Sequence, residues 1–383
     1  MPESLPQTAA CQTARSRPQA VIALAAGREP APLLRSLCAL ALQRSMDRLW
    51  LAPDAFGVVL VPNGPVETVE GVLASLGPAL PYAVRITAPV PAGDWALRAG
   101  LDAALRWAGS AGVVLSTTAG AVPEAGWVAQ ALAALAGGQL DAALGEVVPP
   151  GRGPDAAGRH AGLLVALAAR LDPDPADPSP AHGQESAASL ALRGAALRAL
   201  GGLPVGPAGG VAGLLAGLRR QDGRVRHLAG MRVEATLPPA PVEPARAVWR
   251  RLRARRAMRE FWTQGNGVFE RETPEFRRWA ARLGLPAGSL GAALSAPCFG
   301  QAWTRVVAES PALAAPATLP PTALPREIAA AHALLALARL RRSPAVAPPQ
   351  RPGGFAPGSP RPEGMGTVRK PAGAWKRAGS CGS

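Results

Sequence analysis

The sequence predicts an α/β fold built on a mostly parallel sheet, followed by a helical extension and a disordered tail. Three observations carry this. Short apolar runs alternate with helical stretches over the first 150 residues, the pattern of βαβ units. Gly- and Pro-containing breaks punctuate those runs at Gly27–Pro30 and Pro62–Pro65. Of 383 residues, 48% are hydrophobic, so the chain can bury a sizeable core.

Gln19–Leu24 reads as the first strand, and Leu33, Leu34, Leu37 and Leu40 then fall at helical spacing within 31–43. Phe56–Val61 is a second strand, closed by Pro62-Asn63-Gly64-Pro65 and followed by a helix at 66–77. Ala83–Ile86 is a weaker third strand, and a helix at 95–108 leads to the apolar strand Gly112–Ser116. A loop at 117–123, a helix at 124–137 and a strand at Ala142–Val148 complete the repeating part. A helix at 158–171 runs into Asp172-Pro173-Asp174-Pro175-Ala176-Asp177-Pro178, which is extended because each proline disfavours helix at the residue before it. Residues 187–200 return to strand and helix, with a helix at 210–220 and a strand near 224–234 beyond. The domain reading is a disordered N-terminus over 1–18, an α/β domain over 19–240, a basic helical extension over 241–342, and a disordered Pro/Gly-rich basic tail over 343–383.

Charge is the global oddity. Forty-one basic against 26 acidic side chains leave a formal +15, and only Lys370 and Lys376 are lysines. Nucleic acid, an anionic lipid surface and a phosphate-bearing substrate all fit such a balance. Cysteines 11, 38, 298 and 381 form no close pair, which excludes a disulfide framework and a zinc finger and suits a reducing cytoplasm. Met1–Ala20 has no apolar core of a signal peptide, and no stretch reaches the ~18 uncharged apolar residues of a membrane span.

Several stretches carry a resemblance: Ala99-Gly100-Leu101-Asp102-Ala103-Ala104, Val114-Leu115-Ser116-Thr117, Gly126-Trp127-Val128, Ser189–Arg193 followed by Gly201-Gly202-Leu203-Pro204, then Arg170–Pro178 and Val242–Ala245. In this order, over about residues 19–262, they resemble a family-2 glycosyltransferase with the GT-A nucleotide-sugar-binding fold. The likeness is nearest to a bacterial subgroup with a long central insert. It implies transfer of a sugar from a nucleotide-sugar donor to an acceptor, at the cytoplasmic face of the inner membrane.

Such enzymes hold Mg²⁺ or Mn²⁺ with a D-x-D pair after the fourth strand, because hard carboxylate oxygens suit those ions and the metal neutralises the departing pyrophosphate. They bind base or ribose with an Asp after the second strand, and take the acceptor proton with a later acid. Here the D-x-D position reads Thr118-Ala119-Gly120, the turn has Pro62, and Gly210 and Val211 replace both later acids. The metal ligands expected of the family are therefore missing, no metal site is assigned, and no catalytic residue can be named. The resemblance leaves Glu29, Asn63 and Arg98 for the nucleotide-sugar cleft, with Thr118 at the eroded D-x-D position. Each has a plainer reading. Glu29 charges the first turn of a helix, Asn63-Gly64 makes a tight turn, and Arg98 lies on a solvated helix face.

Other acids offer little replacement. Glu124 opens a helix, the Asp172/Asp174/Asp177 cluster reads as a rigid exposed loop, and His182 with Gln184 and Glu185 marks an eroded acceptor-side segment. Arg246, Arg250, Arg251, Arg253, Arg255, Arg256 and Arg259 share one helix with an apolar stripe of Ala245, Val248, Trp249 and Leu252. A solvated face, an anionic membrane surface and nucleic acid are the three readings. Nucleic acid ranks last because no RNP, helix-turn-helix or zinc motif is present. Trp249, Phe261, Trp262 and Trp279 offer rings suited to a membrane interface. Two functions stay open: a glycosyltransferase with weakened or lost catalysis, and a non-catalytic scaffold that binds an active enzyme partner or a membrane.

Overall fold

A computed structural model describes residues 17–151, 153, 155–204, 209–236, 242–264, 273–314 and 319–340. All of the tail expected over 343–383, and residues 1–16 of the N-terminus expected over 1–18, lie outside the described residues; residues 17 and 18 lead directly into the first strand. In chain order the α/β part comprises β1 (Ala20–Ala25), α1 (Pro30–Ala41), β2 (Phe56–Val61), α2 (Val66–Leu76), β3 (Ala83–Ile86), α3 (Asp94–Ala108), β4 (Val113–Thr118), β5 (Val122–Pro123), α4 (Trp127–Ala136), β6 (Ala142–Val148), α5 (Ala156–Leu171), β7 (Leu190–Arg193), α6 (Gly194–Ala199), α7 (Gly210–Arg220) and β8 (Val225–Glu234).

One eight-stranded sheet has the order β3-β2-β1-β4-β7-β6-β8-β5. Six strands run one way; β7 is antiparallel to both its neighbours and β5 is antiparallel to β8. The α/β class and the mostly parallel sheet are as the alternating pattern requires. β1 is central and its side chains divide by the pleat. Ala20, Ile22 and Leu24 join a core with α1, α2 and α4, whereas Val21 and Ala23 join a second core with α3, α6 and α7. Both faces are covered, and this explains why β1, β2 and β4 read as unbroken apolar runs.

The expected loop at 117–123 and the helix start at 124 need correction. β4 continues through Thr118, and Val122-Pro123 pair with β8. The Glu124 N–H donates to the Arg232 carbonyl at 3.0 Å, which keeps the chain extended, so α4 begins only at Trp127. Trp127 is fully buried and its Nε1–H donates to Ser189 Oγ at 2.8 Å; that hydroxyl donates to the Met231 carbonyl at 2.9 Å. This chain of bonds ties α4 to the reversed part of the sheet.

Beyond the sheet lie α8 (Ala245–Gln264), α9 (Pro274–Leu283), α10 (Ala287–Leu294), α11 (Phe299–Glu309) and α12 (Leu324–Leu340). The first half of α8 and all of α12 pack on α5, where Trp249 and Leu252 meet Leu167, Leu335 and Ala338. The second half of α8 forms a separate core with α9, α10 and α11 through Met258, Phe276, Trp279, Leu290 and Val306. Phe261 stacks on Trp279 with ring centroids 5.2 Å apart. The four rings offered above to a membrane interface are instead packed against these interior clusters. Burying an aromatic ring between helices stabilises more than leaving it at a surface. Among the described residues no helix is long and apolar enough to cross a membrane.

Candidate functional site

β1 connects through α1 to β2 on one side, and β4 lies on its other side after the α3 crossover. The sheet therefore reverses its winding between β1 and β4, and open α/β sheets bind ligands in the crevice at the carboxyl ends of such strands. A cavity of about 350 Å³ lies there, lined by Ala23 and Ala25 of β1 with Gly27 beyond it, Val61 at the end of β2 with Asn63 beyond it, and Thr117, Thr118 and Ala119 at the end of β4. Gly93, Asp94 and Leu97 of α3 and Val211 of α7 complete the wall.

Two of the four expected site residues meet here. Asn63 and Thr118 line the cavity; Glu29 and Arg98 do not. Glu29 is exposed at the cap of α1 and its side chain makes no cap hydrogen bond. Arg98 faces along α3 to Asp102, 3.8 Å away. Arg28 lays its side-chain stem over the Asn63-Gly64 turn, where a Cβ on Gly64 would come within 2.9 Å of the arginine's Cγ.

The polar groups of the cavity are few and underused. Asn63 Oδ1 and Thr117 Oγ1 are both buried with no hydrogen-bond partner, and Thr117 is only 2% exposed. An unpaired buried polar atom costs about 1–3 kcal/mol, so a ligand that supplies partners recovers that cost. Nothing in the sequence singles out Thr117, one residue before the D-x-D position; in β4 it has the parity of Val113 and Leu115, whose side chains join the core with α1 and α4. Asp94 was missed too, because it reads simply as an acid at the start of a helix.

Asp94 lies where α3 and α7 begin. A Cβ on Gly210 would come within 2.8 Å of Asp94 Oδ1, and Gly210 has φ +65°, so the glycine leaves room for the carboxylate at the start of α7. Helix N-termini attract anions, and here the chain supplies one of its own.

The D-x-D position is held by backbone contacts. The Gly120 N–H donates to Pro32 O and Ser36 Oγ, both at 3.0 Å, and Ser36 Oγ donates to Ala121 O at 2.7 Å. Gly120 has φ +91° and a Cβ there would face Pro32 at 3.5 Å. A carboxylate at 120 would thus be strained and would start towards α1. With a threonine hydroxyl at 118 and Asp94 the one carboxylate among the described lining residues, the donors do not fit a Mg²⁺ or Mn²⁺ site. No group of three His, Cys, Asp or Glu among the described residues is placed to hold a metal.

The remaining acids and histidines have structural work. Asp172 meets Arg255 and Arg259, and Asp174 Oδ1 accepts from the Ala176 N–H at 2.9 Å. Asp177 Oδ2 lies 2.6 Å from His227 Nδ1. His182 packs edge-on against His227, and burial, followed by the neighbouring His227, depresses its pKa to about 4. Gln184 bonds both backbone groups of Val147, and Glu185 pairs with Arg219 at 2.6 Å. The supposed acceptor-side segment thus fastens loops to the sheet.

No protein-family model and no curated protein matches this chain. Among solved structures, a mannosyltransferase from Pyrobaculum calidifontis in complex with GDP-Man and Mn²⁺ is similar with 18% identity over 85% of this chain and 87% of that one, TM-score 0.42. Residues 1–349 of S. aureus TarS with UDP-GlcNAc align at 15% identity over 75% and 90%, TM-score 0.40. A likeness this distant carries no functional argument.

Proposed function

We propose that the chain is a GT-A-like, family-2-type scaffold that binds the nucleotide part of a nucleotide sugar in the cleft without a divalent metal, and that sugar transfer there is weak or lost. The observation that carries this reading is a pair of buried oxygens without partners, Asn63 Oδ1 and Thr117 Oγ1, on two residues that line the cavity at the β1/β4 switch point, with a single lining carboxylate among the described residues. Asn63 accepts from a base N–H or a ribose hydroxyl; the Thr117 hydroxyl donates to or accepts from the ligand's oxygens. The positions Pro62, Thr118, Gly120, Gly210 and Val211 provide no acid to hold a metal or to take a proton. Titrating UDP and GDP calorimetrically, in EDTA and in Mn²⁺, tests the reading.

A second reading, a non-catalytic scaffold for an enzyme partner or a membrane surface, is favoured by two exposed features. Leu42, Met46, Leu49 and Trp50 are all more than half exposed around the turn after α1. Arg246, Arg250, Arg253 and Arg256 form an exposed stripe along α8, a geometry suited to a peripheral contact with anionic lipid at the inner membrane face of the cytoplasm.

A further inference from the structure

A second cavity, of about 960 Å³, opens at the other end of α7. At 1.5 Å per residue the 11-residue helix puts it roughly 15 Å from the cleft, so the two do not share a wall. One side is made by Arg219 and Arg220 in the last turn of α7 with Arg224 and Arg226 at the start of β8; the other is the inward face of α8, Arg251, Arg255 and Arg259. Trp262, Phe299 and Trp303 add three rings. The described lining has two carboxylates, Asp174 and Asp222, and Asp222 accepts from the Phe299 and Gly300 N–H groups at 3.1 and 2.7 Å.

The arginines are held in place from behind. Arg219 is fixed by Glu185, Arg251 by Glu243 at 2.7 Å, and Arg226 Nε by the Ala176 carbonyl at 2.8 Å. Arg255 and Arg259 share the one buried carboxylate of Asp172, at 3.7 and 3.3 Å, and the Nε of each has no hydrogen-bond partner. Asp174 adds some attraction at Arg255, yet the two guanidiniums share a single buried carboxylate and keep about a quarter of their surface open, so an added anion would find donors there. Burial lowers the Arg255 pKa and Asp172 opposes that shift.

We infer that this cavity is a second ligand site, for a small phosphorylated compound that carries a planar ring, the chemistry of a nucleotide. Guanidinium forks match phosphate oxygens in pairs, and arginine serves better than lysine for this. Indole and phenyl faces stack on a base. The volume is that of a small-molecule pocket. The three rings also pack on the helical core, and Arg259 lies over the Phe299 ring, but their remaining exposed surface faces the cavity, where inorganic phosphate or an extended polyanion would use the arginines alone. The site is independent of the reading given to the cleft.

Calorimetry on the full chain tests it, with ADP, pyrophosphate and adenosine as probes. ADP should show a saturable component that R220Q/R224Q weakens at least tenfold with Tm nearly unchanged, because neither arginine is ion-paired to a carboxylate among the described residues, and that W303L weakens several-fold with a small fall in Tm, because Trp303 also packs on the helical core. N63A, in the cleft, should leave that component intact. Pyrophosphate should bind more weakly than ADP, and adenosine should bind least. If R220Q/R224Q does not fold, R220Q alone and W303L give the same readout. Binding lost in N63A but kept in the arginine variants would place the ligand in the cleft and overturn the proposal, as would the absence of saturable binding. Equal affinity for pyrophosphate and ADP would overturn the ring requirement. A twelve-nucleotide single strand that binds more tightly than ADP and is lost in the arginine variants would overturn the small-ligand class in favour of nucleic acid.

Discussion

The two ends of α7 face opposite chemistry. At its N-terminus the cleft is small, largely apolar and nearly uncharged, with an asparagine and a threonine whose buried oxygens have no partner. At its C-terminus the joint with the helical extension is large, lined by arginines, and bordered by indoles. The cleft has the position in which open α/β sheets bind ligands, with a single carboxylate among its described lining residues. The joint has the cations a phosphate ligand needs in a place that the strand–helix pattern does not mark. Location in a fold and chemical capacity are therefore separate properties, and only the second decides what a site can do.

The largest expected effect is at the joint. D172N leaves the half-buried Arg255 and Arg259 with no carboxylate between them and should cost about 2–3 kcal/mol, read as a fall in Tm, whereas cleft substitutions should leave Tm nearly unchanged. If D172N is neutral, the arginines are better solvated than their burial implies. Next comes acid. The folded pKa of His182, about 4, lies below the unfolded value of 6.5. The unfolded chain therefore takes up its proton first, and stability falls as pH drops from 6.5 towards 4, by on the order of 2 kcal/mol. H182Q should flatten that limb; a limb that persists would place the titration elsewhere.

In the cleft, T117V removes a hydroxyl with no partner and keeps the shape. The unliganded protein should become more stable by up to about 1 kcal/mol while UDP or GDP affinity drops about tenfold, opposite signs from one substitution. D94N removes the anion at the start of α7 and should tighten diphosphate binding by roughly three- to tenfold. The smallest effect concerns the outer face of α8: R250Q/R253Q should reduce flotation with anionic vesicles by about 1 kcal/mol per charge if that face meets lipid, and unchanged flotation would remove the membrane reading.

Much of the cleft's frame was legible in the sequence. β1, β2 and β4 stand out as apolar runs, and the turn at Pro62-Asn63-Gly64 follows from its residues. Thr117 and Asp94 were not legible. Which residues of β4 reach the crevice, and that α7 starts beside α3, depend on a sheet whose β7 strand is reversed through contacts 46 to 80 residues apart. The basic helix shows the same limit. Its apolar stripe was correctly read, yet its seven arginines were taken as a single cluster. The structure sorts them by phase: Arg251, Arg255 and Arg259 turn inward, and Arg246, Arg250, Arg253 and Arg256 outward. The i, i+4 spacing was visible; that Asp172 and Glu243 lie opposite the inner set was not. The D-x-D comparison was read as two lost acids, whereas at Gly120 the backbone itself is unsuited to one.

The central claim is that the cleft binds a nucleotide through Asn63 and Thr117 with no metal. Calorimetric titration of UDP and GDP into the parent chain and into N63A and T117V, each in EDTA and in Mn²⁺, tests it most directly. The account predicts saturable binding of at least one of them by the parent, equal in the two buffers and weakened about tenfold in either variant. Binding that appears only with Mn²⁺, or that both variants retain in full, would contradict it.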